Sequence, residues 1–496
     1  MLSSNIILFE NEWFVFISLF LIFSLFIFIT ETAYKKNVFS SNVNRRLIHI
    51  IVGCFASFSP FIFNNNYYPI LLAVIFMIIN IFAIKNGQLK GIHSVNRVSW
   101  GTIFFPLSFL IISLFFWGYP EFVIFCFLIL AIADPIASIV GEAIEDPITF
   151  RVWKDKKTLE GSILFFTVSF FILYIGSNLL FQAPNFYHIS FSIFVALGTT
   201  IAEITSNKGS DNFSIPIIGM LFMIAFNYSF SEVLNIKELL ESKIFIFTLS
   251  LISLLLLSYR LKALSLSGAF GAIVMGILII NLNSFYYLLP LSIFFVFSSV
   301  LSQVIKKSDF YVTKTSQRDL IQVFANGGIP LLICIYDHFS PNSLNFFLFS
   351  ASISAAMSDT WGTELGKLSK VKPVSIITLK RIKHGESGGI TRIGTIGSFL
   401  GASIIGLTAS ILSPSTSNTI IFGIIISGFI AALFDSIIGA TLQGKFKIIK
   451  TGKIIETEDG NTIHFSGKRW ITNDIVNLSN TILSPIILLI LIMVLK

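Results

Sequence analysis

Charged residues are scarce in this chain. Only 12% of its 496 residues are Asp, Glu, Lys or Arg, whereas 54% are hydrophobic and the mean hydropathy is +0.84. Soluble globular domains carry about 25% charged residues, which cover their surface. The composition therefore excludes a soluble globule of this size and predicts a protein that crosses the membrane many times.

Cysteine is rare, and the common nucleotide and metal motifs are missing. Cys54, Cys126 and Cys334 lie singly in apolar segments, so we interpret them as small core residues, not as disulfides or zinc ligands. The sequence has no GxxxxGK(S/T), GxGxxG, HExxH or DxxDxxD motif. A P-loop transporter, a Rossmann enzyme, a zinc protease and a prenyl-condensing enzyme all lose support.

Long apolar runs are what the chain does have. Each is long enough to cross a bilayer at about 1.5 Å per residue, and together they predict an all-α polytopic fold of about sixteen transmembrane helices. If the N-terminus lies outside, all 34 basic residues fall on the cytosolic side except Lys237, Lys243 and Lys496. This agrees with the positive-inside rule. The net charge of +8 then favours anionic membrane lipids as partners, and we expect no nucleic-acid partner.

Two aspartates mark a repeat. Asp134 and Asp359 each lie in an apolar stretch, with a glycine seven residues later and then a lysine-rich loop that closes on a Gly/Ser pair. A charge inside the membrane costs about 2.5–3.5 kcal/mol, so two copies suggest two sites of related chemistry. The aspartates fall in predicted spans five and thirteen, which indicates two tandem halves of like orientation, residues 1–235 and 243–496.

In the first half, Asp134 precedes Pro135, which predicts that a helix begins here inside the membrane with Asp134 as its N-cap. Glu142 would share a face with Asp134. Such a helix start suits an anion, and its carboxylates can hold a divalent ion. The phosphate-binding candidates beyond it are Lys154, Lys156, Lys157, Thr158, Gly161, Ser162, Asp211 and Asn212, and Glu203 is a second metal candidate. The alternative is a helix-packing aspartate, with lysines that serve topology alone.

The motif RRLIHIIVG places Arg45, Arg46 and His49 at the cytosolic mouth of the second span. A lone histidine on a helix is often structural. Near arginines and an acidic site, phosphate binding or proton transfer is the competing interpretation. Phosphorylation of an alcohol needs an acceptor for the hydroxyl proton, and His49 and Glu142 are the candidates.

The second half repeats this logic. Asp359, Glu364 and Asp435 are its acidic candidates, and Arg318, Gln322 and Asn326 form a polar stripe at spacing four, which is also typical of interhelical hydrogen bonding. The further phosphate-binding candidates are Lys383, His384, Gly385, Ser387, Gly388, Gly389, Asn473, Asp474 and Asn477. KIIETEDGNTIHF predicts a two-stranded hairpin turning at Asp459–Gly460, within a cytosolic cover at about residues 446–468.

These motifs carry a resemblance. RRLIHIIVG, ADPIASIVG, KKTLEGS and SDNFSIPIIG, over about residues 40–220, resemble the dolichol and phytol kinase family, which is related to CDP-diglyceride synthases. RDLIQVFANGG, SDTWGTELG, HGESGGIT, FDSIIGATLQ and ITNDIVN, over about 260–485, resemble the phytyl-phosphate kinase family that includes transmembrane protein 19. The sequence departs from the first family at GEAIEDP and from the second at Gly362.

The resemblance implies a fused enzyme. The first half would transfer a phosphoryl group from CTP to an isoprenoid alcohol such as phytol, and the second would convert the monophosphate to the diphosphate. Asp134, His49, Glu142, Asp359 and Asp435 would be catalytic. Mg²⁺ or Mn²⁺ would bind at the acids, and the expected location is a prokaryotic cytoplasmic membrane. A CDP-lipid-forming cytidylyltransferase and a non-enzymatic lipid transporter remain alternatives, and the oligomeric state is open.

Overall fold

The chain is described by a computed structural model that covers residues 11–88, 99–283, 285–306, 317–414, 416–449, 454–456, 458 and 461–494. Within these ranges, fourteen helices are long and apolar enough to cross a membrane. The predicted all-α polytopic membrane fold is therefore confirmed. Two further helices occupy the remaining predicted spans, a 15-residue helix at Gly101–Phe115 and a 24-residue helix at Ser343–Gly366. The count of sixteen spans and the external N-terminus stay predictions.

The fold divides into two compact units, with the boundary between Ser242 and Lys243. The helices of the first unit are α1 (Glu12–Lys35), α2 (Ser41–Ile62), α3 (Tyr67–Lys85), α4 (Gly101–Phe115), α5 (Pro120–Leu128), α6 (Asp134–Ala143), α7 (Leu159–Leu180), α8 (Asn185–Ile204), α9 (Asp211–Phe230) and α10 (Ile236–Glu241). An antiparallel ribbon of β1 (Thr149–Arg151) and β2 (Lys156–Thr158) connects α6 to α7.

The helices of the second unit are α11 (Lys243–Arg260), α12 (Leu266–Asn283), α13 (Phe285–Lys306), α14 (Leu320–Phe339), α15 (Ser343–Gly366), α16 (Arg392–Leu412), α17 (Asn418–Thr441) and α18 (Asn473–Val494). Its short strands are β3 (Val374–Ser375), β4 (Gly389–Ile390), β5 (Lys445–Ile448), β6 (Ile454–Ile455) and β7 (Thr462–Ser466). The strands β3 and β4 pair with each other in the loop between α15 and α16.

The sheet after α17 corrects a prediction from the sequence. We expected a two-stranded hairpin, but β5 is the central strand and pairs with β6 on one edge and β7 on the other. The two strands expected to pair with each other therefore lie on opposite sides of β5, because KFKI (445–448) supplies a third strand that the alternating pattern did not reveal. The predicted turn at Asp459–Gly460 lies outside the described residues.

Close helix packing positions both acidic helices. In the first unit, a Cβ added at Gly53 of α2 would lie 2.7 Å from Cβ of Ala131, three residues before Asp134. In the second, a Cβ at Gly401 of α16 would lie 2.8 Å from the carbonyl oxygen of Met357, two residues before Asp359. Glycine lets backbones approach closely in a membrane, where packing drives helix association. Each aspartate thus lies on a helix that is fixed by a near neighbour.

The later helices of the two units pack in the same way. In the first unit α4 contacts α9, and in the second α14 contacts α18. The consecutive helices α7, α8 and α9 pack against one another in order, and α16, α17 and α18 do the same. The earlier helices pack differently, since α2 contacts α5 in the first unit whereas α13 contacts α15 in the second. The similarity is therefore greatest around the helices that carry the paired acids.

Candidate functional site

Asp134 lies on a helix that is distorted, not interrupted. A π-helical turn, Ile129–Ala133, joins α5 to α6, and both Ala133 and Asp134 have right-handed helical backbone angles. The prediction that Asp134 is a non-helical N-cap is therefore wrong, and Ala133 holds the N-cap position of α6. The widened turn accommodates Pro135, whose ring would clash with the carbonyl of residue 131 in a regular α-helix.

The π-helical turn also presents a carbonyl to His49. In this turn the carbonyl of Leu130 would accept from the N–H of residue 135, which is a proline and has none. The ring Nε2 of His49 instead lies 2.9 Å from that oxygen. A carbonyl only accepts, so Nε2 carries the hydrogen, and Nδ1 is left as the nitrogen that can take up a proton. Nε2 is also 3.7 Å from Oδ2 of Asp134.

One of the three predicted lysines points towards the interior of the first unit. Lys157 forms an ion pair with Glu203, and its Nζ donates to Oγ of Ser206 at 3.1 Å. Burial lowers the pKa of Lys157, but Glu203 and Asp211 oppose this and the pKa is raised overall. Lys157 therefore stays cationic at neutral pH. The other two lysines are exposed, and Nζ of Lys154 lies over the ring of Trp153 at 5.0 Å.

The residues around Lys157 form the first acidic cluster, which comprises Asp134, Glu203 and Asp211. Asp134 is within electrostatic range of both other acids, of Lys157 and of Arg45. Oε2 of Glu203 is buried and has no hydrogen-bond partner among the residues that the structure describes. The structure thus brings three of the predicted acids together with one lysine, one arginine and His49.

Other predicted residues of the first half have structural contacts. Thr158 is the N-cap of α7 and accepts a hydrogen bond from the N–H of Gly161 at 3.3 Å, so the amide expected to contact phosphate is already used. Ser162 is buried beside it. On the surface, Arg46 pairs with Glu142 at 2.6 Å. Since Glu142 is held by this ion pair, His49 is the better placed of the two proton-acceptor candidates.

An apolar pocket opens beside His49. It encloses about 1030 Å³ of non-atom space, part of it open to the outside, between helices α1 to α4. The polar side chains of its wall include those of Arg45, His49 and Asn212. The pocket is of the size that takes a small ligand. Its long apolar wall with a cationic end suits a molecule with an apolar tail and a polar head.

The second acidic cluster contains a residue that the sequence analysis missed. Asp359 is within electrostatic range of Glu456, and so is Asp435, which also interacts with Asp359. Glu456 follows β6 and is brought to the ends of α15 and α17 by the three-stranded sheet. We define Asp359, Asp435 and Glu456 as the second acidic cluster. Oδ2 of Asp435 is buried, and no described residue forms a hydrogen bond with it.

The glycine-rich loop reaches this cluster through Ser387. Its Oγ donates to Oε1 of Glu456 at 2.9 Å and lies 2.7 Å from Oε1 of Gln443. Gly388 has φ +84°, and a Cβ there would lie 2.4 Å from Cβ of Ala440 on α17. Gly389 belongs to β4, whereas Lys383 and Gly385 are exposed. The Ser387–Gly388 end of the predicted loop therefore contacts the acidic side.

The remaining predicted residues of the second half divide into three groups. Glu364 forms an ion pair with Lys367 at 2.8 Å and is also within electrostatic range of Asp359, so it lies beside the second acidic cluster. The N-terminal part of α18, which contacts α15 and α17, carries Asn473, Asp474 and Asn477. A second pocket contains Arg318, Gln322 and Asn326.

The acidic clusters fit a hard divalent cation. Mg²⁺ is commonly held by one or two carboxylates together with substrate phosphates, not by a complete protein cage. Within the described ranges, no group of three or more His, Cys, Asp or Glu already has the arrangement of a metal site. The buried, unpartnered oxygens of Glu203 and Asp435 are the kind of ligand that Mg²⁺ prefers.

Comparison with known proteins identifies the family. Residues 249–484 match the family described as integral membrane protein DUF92. A segment of 206 residues, 41% of this chain, is 33% identical to an uncharacterized membrane protein of Methanocaldococcus jannaschii and covers 84% of it. The chain belongs to the DUF92 integral membrane family. No solved structure matches it.

This DUF92 protein is also similar to proteins named phytol kinases. It is 27% identical to the probable phytol kinase 2, chloroplastic, of Oryza sativa over 38% of this chain and 68% of the relative. It is 24% identical to the phytol kinase of Synechocystis over 40% of this chain and 85% of the relative.

Proposed function

We propose that this DUF92 protein phosphorylates an isoprenoid alcohol, such as phytol, to the monophosphate in its first unit and the monophosphate to the diphosphate in its second. CTP is the donor, and both sites face the cytosol of a prokaryotic cell. The observation that carries the proposal is His49, whose Nδ1 is available as a base, beside both an acid–lysine cluster and an apolar pocket. The likeness to phytol kinases gives independent support.

In the first unit the isoprenoid tail lies in the apolar pocket with its hydroxyl near His49. The hydroxyl oxygen forms a bond to the γ-phosphorus of CTP, the bond between that phosphorus and the β–γ bridging oxygen breaks, and CDP leaves. The hydroxyl proton passes to Nδ1 of His49. Lys157 and Arg45 offset the charge that develops on the phosphoryl oxygens, because such reactions depend mainly on positioning and electrostatics.

In the second unit the same donor meets an acceptor that is already phosphorylated. Asp359, Asp435 and Glu456 would hold Mg²⁺ there, as Asp134, Glu203 and Asp211 would in the first unit. Held by these acids, such an ion would supply positive charge that offsets the negative charge of the nucleotide phosphates. Ser387 positions Glu456 through its hydrogen bond, so the glycine-rich loop contributes to the geometry of the cluster.

Separate assays of the two steps test this proposal. Purified protein in lipid nanodiscs with γ-labelled CTP and Mg²⁺ should convert phytol to labelled mono- and diphosphate and release CDP. Asp134→Asn should abolish phosphorylation of phytol but not of supplied phytyl monophosphate, and Asp359→Asn should do the reverse. Release of pyrophosphate would instead identify a cytidylyltransferase. The absence of nucleotide turnover with any isoprenoid would overturn the kinase assignment.

A further inference from the structure

The pocket of the second unit differs chemically from that of the first. It encloses about 630 Å³ of non-atom space between α11, α12, α13 and α14, part of it open to the outside, and its wall is almost wholly apolar. Its charged wall residue is Arg318, followed at spacings of four by Gln322 and Asn326. Among the described residues that line it there is no histidine.

The backbone of Arg318 is held by two hydrogen bonds, and its side chain has no ion-pair partner among the described residues. Its backbone N–H donates to the carbonyl of Ala263 at 3.1 Å, and its own carbonyl accepts from the N–H of Ser265 at 3.0 Å. The guanidinium lies 5.2 Å from the ring centroid of Phe294 and 5.9 Å from that of Phe295. In the part of the chain that the structure describes, no carboxylate forms an ion pair with it.

Arg318 is partly buried against apolar side chains, and a cation in such a place is costly unless an anion offsets its charge. With no carboxylate paired to it among the described residues, Arg318 points to an anionic ligand. Burial lowers the pKa of Arg318 to about 10, against the opposing effect of Glu364, and the side chain is still protonated at neutral pH. Guanidinium is the group best suited to bidentate contact with phosphate. The neighbouring apolar wall suits a hydrocarbon tail.

The described wall of this pocket has no histidine to act as a base, and this distinguishes the two acceptors. An alcohol must lose its proton on phosphorylation, and the first pocket offers His49 for that purpose. A phosphate monoester carries a charge of about −1.5 to −2 at pH 7, so its attacking oxygen is already deprotonated and needs a cation instead.

We propose that the pocket between α11 and α14 binds the isoprenoid monophosphate, with the phosphate on Arg318 and the isoprenoid chain along the apolar wall. This inference rests on the proposed two-step function and assigns Arg318 to the acceptor, not to the nucleotide. Gln322 lies one helical turn further in and supplies a second polar contact. The amide nitrogen of Asn326 already donates to the carbonyl of Gln322 at 2.9 Å, so Asn326 is the lesser contributor.

The test compares the acceptors in Arg318→Met, Arg318→Lys and the matched control Arg260→Met, which removes an exposed arginine at the end of α11. Arg318→Met should raise KM for geranylgeranyl monophosphate by about 100-fold or more and leave KM for CTP and the phosphorylation of geranylgeraniol unchanged. Arg318→Lys should give a partial loss, since a lysine makes a single-point contact. Arg260→Met should behave as wild type.

Binding is measured without nucleotide as well. Wild-type protein should bind radiolabelled geranylgeranyl monophosphate and release it when unlabelled monophosphate is added. Arg318→Met should not bind this ligand, whereas its binding of geranylgeraniol should not change. If the methionine variant does not fold, the same comparison is made with Arg318→Lys, which should show a partial loss of monophosphate binding. If wild type phosphorylates the monophosphate but Arg318 variants alter only kcat or KM for CTP, the inference is wrong and the proposed function stands. If wild type phosphorylates no monophosphate, the proposed function itself fails.

Discussion

Nε2 of His49 donates to the carbonyl oxygen of Leu130 across 2.9 Å, and this contact joins α2 to the π-helical turn that precedes Asp134. The hydrogen bond selects one tautomer of the imidazole. It therefore links a distortion of the acidic helix to the protonation state of the residue that we propose as the base.

His49→Gln should slow phosphorylation of phytol by about 100-fold to 10,000-fold, the usual contribution of a general base. Glutamine can still donate to Leu130 but cannot take up the proton, so the helix packing is retained. Conversion of phytyl monophosphate to the diphosphate should not change. The measurement is kcat for each step with the acceptor supplied separately.

His188→Gln is the matched control for that variant. Both ring nitrogens of His188 are engaged, Nδ1 with Oγ of Ser177 and Nε2 with the carbonyl of Ala183, each at 3.0 Å. This substitution should lower thermal stability without a selective effect on the first step. Equal loss of the first step in His49→Gln and His188→Gln would argue against a role for His49 as base.

Lys157→Met should slow the first step strongly, and Lys156→Met should not. Lys157 pairs with Glu203, whereas Lys156 is exposed on the same strand. Loss of one preorganised electrostatic group typically costs about 100-fold to 1,000-fold in kcat. A similar loss in both variants would show that loop charge matters, not the buried ion pair.

The pKa of Lys157 predicts how the first step depends on pH. Burial lowers this pKa, but Glu203 and Asp211 outweigh burial and the pKa is raised. A raised pKa means that the cationic form persists below the ordinary lysine value of about 10.4 and is lost only as the pH rises above it. In kcat profiles from pH 6 to 9, the Lys157→Arg variant should therefore have the same shape as wild type. A change of kcat with pH that is seen in the wild-type profile and missing from the Lys157→Arg profile would contradict this.

Glu456→Gln should impair the second step as strongly as Asp435→Asn, while the first step is unchanged. Glu456 lies within electrostatic range of Asp359 and Asp435, so removal of its charge weakens cation binding there. The readouts are the Mg²⁺ concentration for half-maximal activity and kcat for phytyl monophosphate. Glu458→Gln, an exposed neighbour, is the control and should have no effect.

Sequence reasoning located the acids but not all of their contacts. Asp134 and Asp359 stand out because a carboxylate in an apolar run is costly, and this argument needs no tertiary structure. Glu456 gives no such signal, since it lies in a polar segment where acids are common. Its position depends on β5 pairing with β6, a contact that the alternating pattern did not reveal.

The backbone at Asp134 shows a different limit. The residue before a proline is usually extended, but packing of α2 against the π-helical turn holds Asp134 in helical geometry. The orientation of the lysines could not be predicted from the sequence either. The sequence alone does not distinguish the three lysines of this short loop from one another. The pairing of β1 with β2 sets which of them faces Glu203, and that residue is Lys157.

Gly388→Ala should impair the second step, and Gly385→Ala provides an unusually close control. Both glycines have nearly the same backbone angle, φ +84° and +83°, so an alanine pays a similar left-handed penalty of about 1–2 kcal/mol at either position. At Gly388 the new Cβ would lie 2.4 Å from Cβ of Ala440, whereas at Gly385 no atom of the described residues lies within 4 Å.

The clash would move the loop away from α17 and withdraw Ser387 from Glu456. We therefore expect Gly388→Ala to lose second-step activity and Gly385→Ala to retain most of it, with the first step intact in both. Thermal unfolding of the two variants separates loss of activity from loss of fold. If Gly385→Ala is as defective as Gly388→Ala, backbone strain alone accounts for the effect, and the contact of the loop with α17 is not what positions the second acidic cluster.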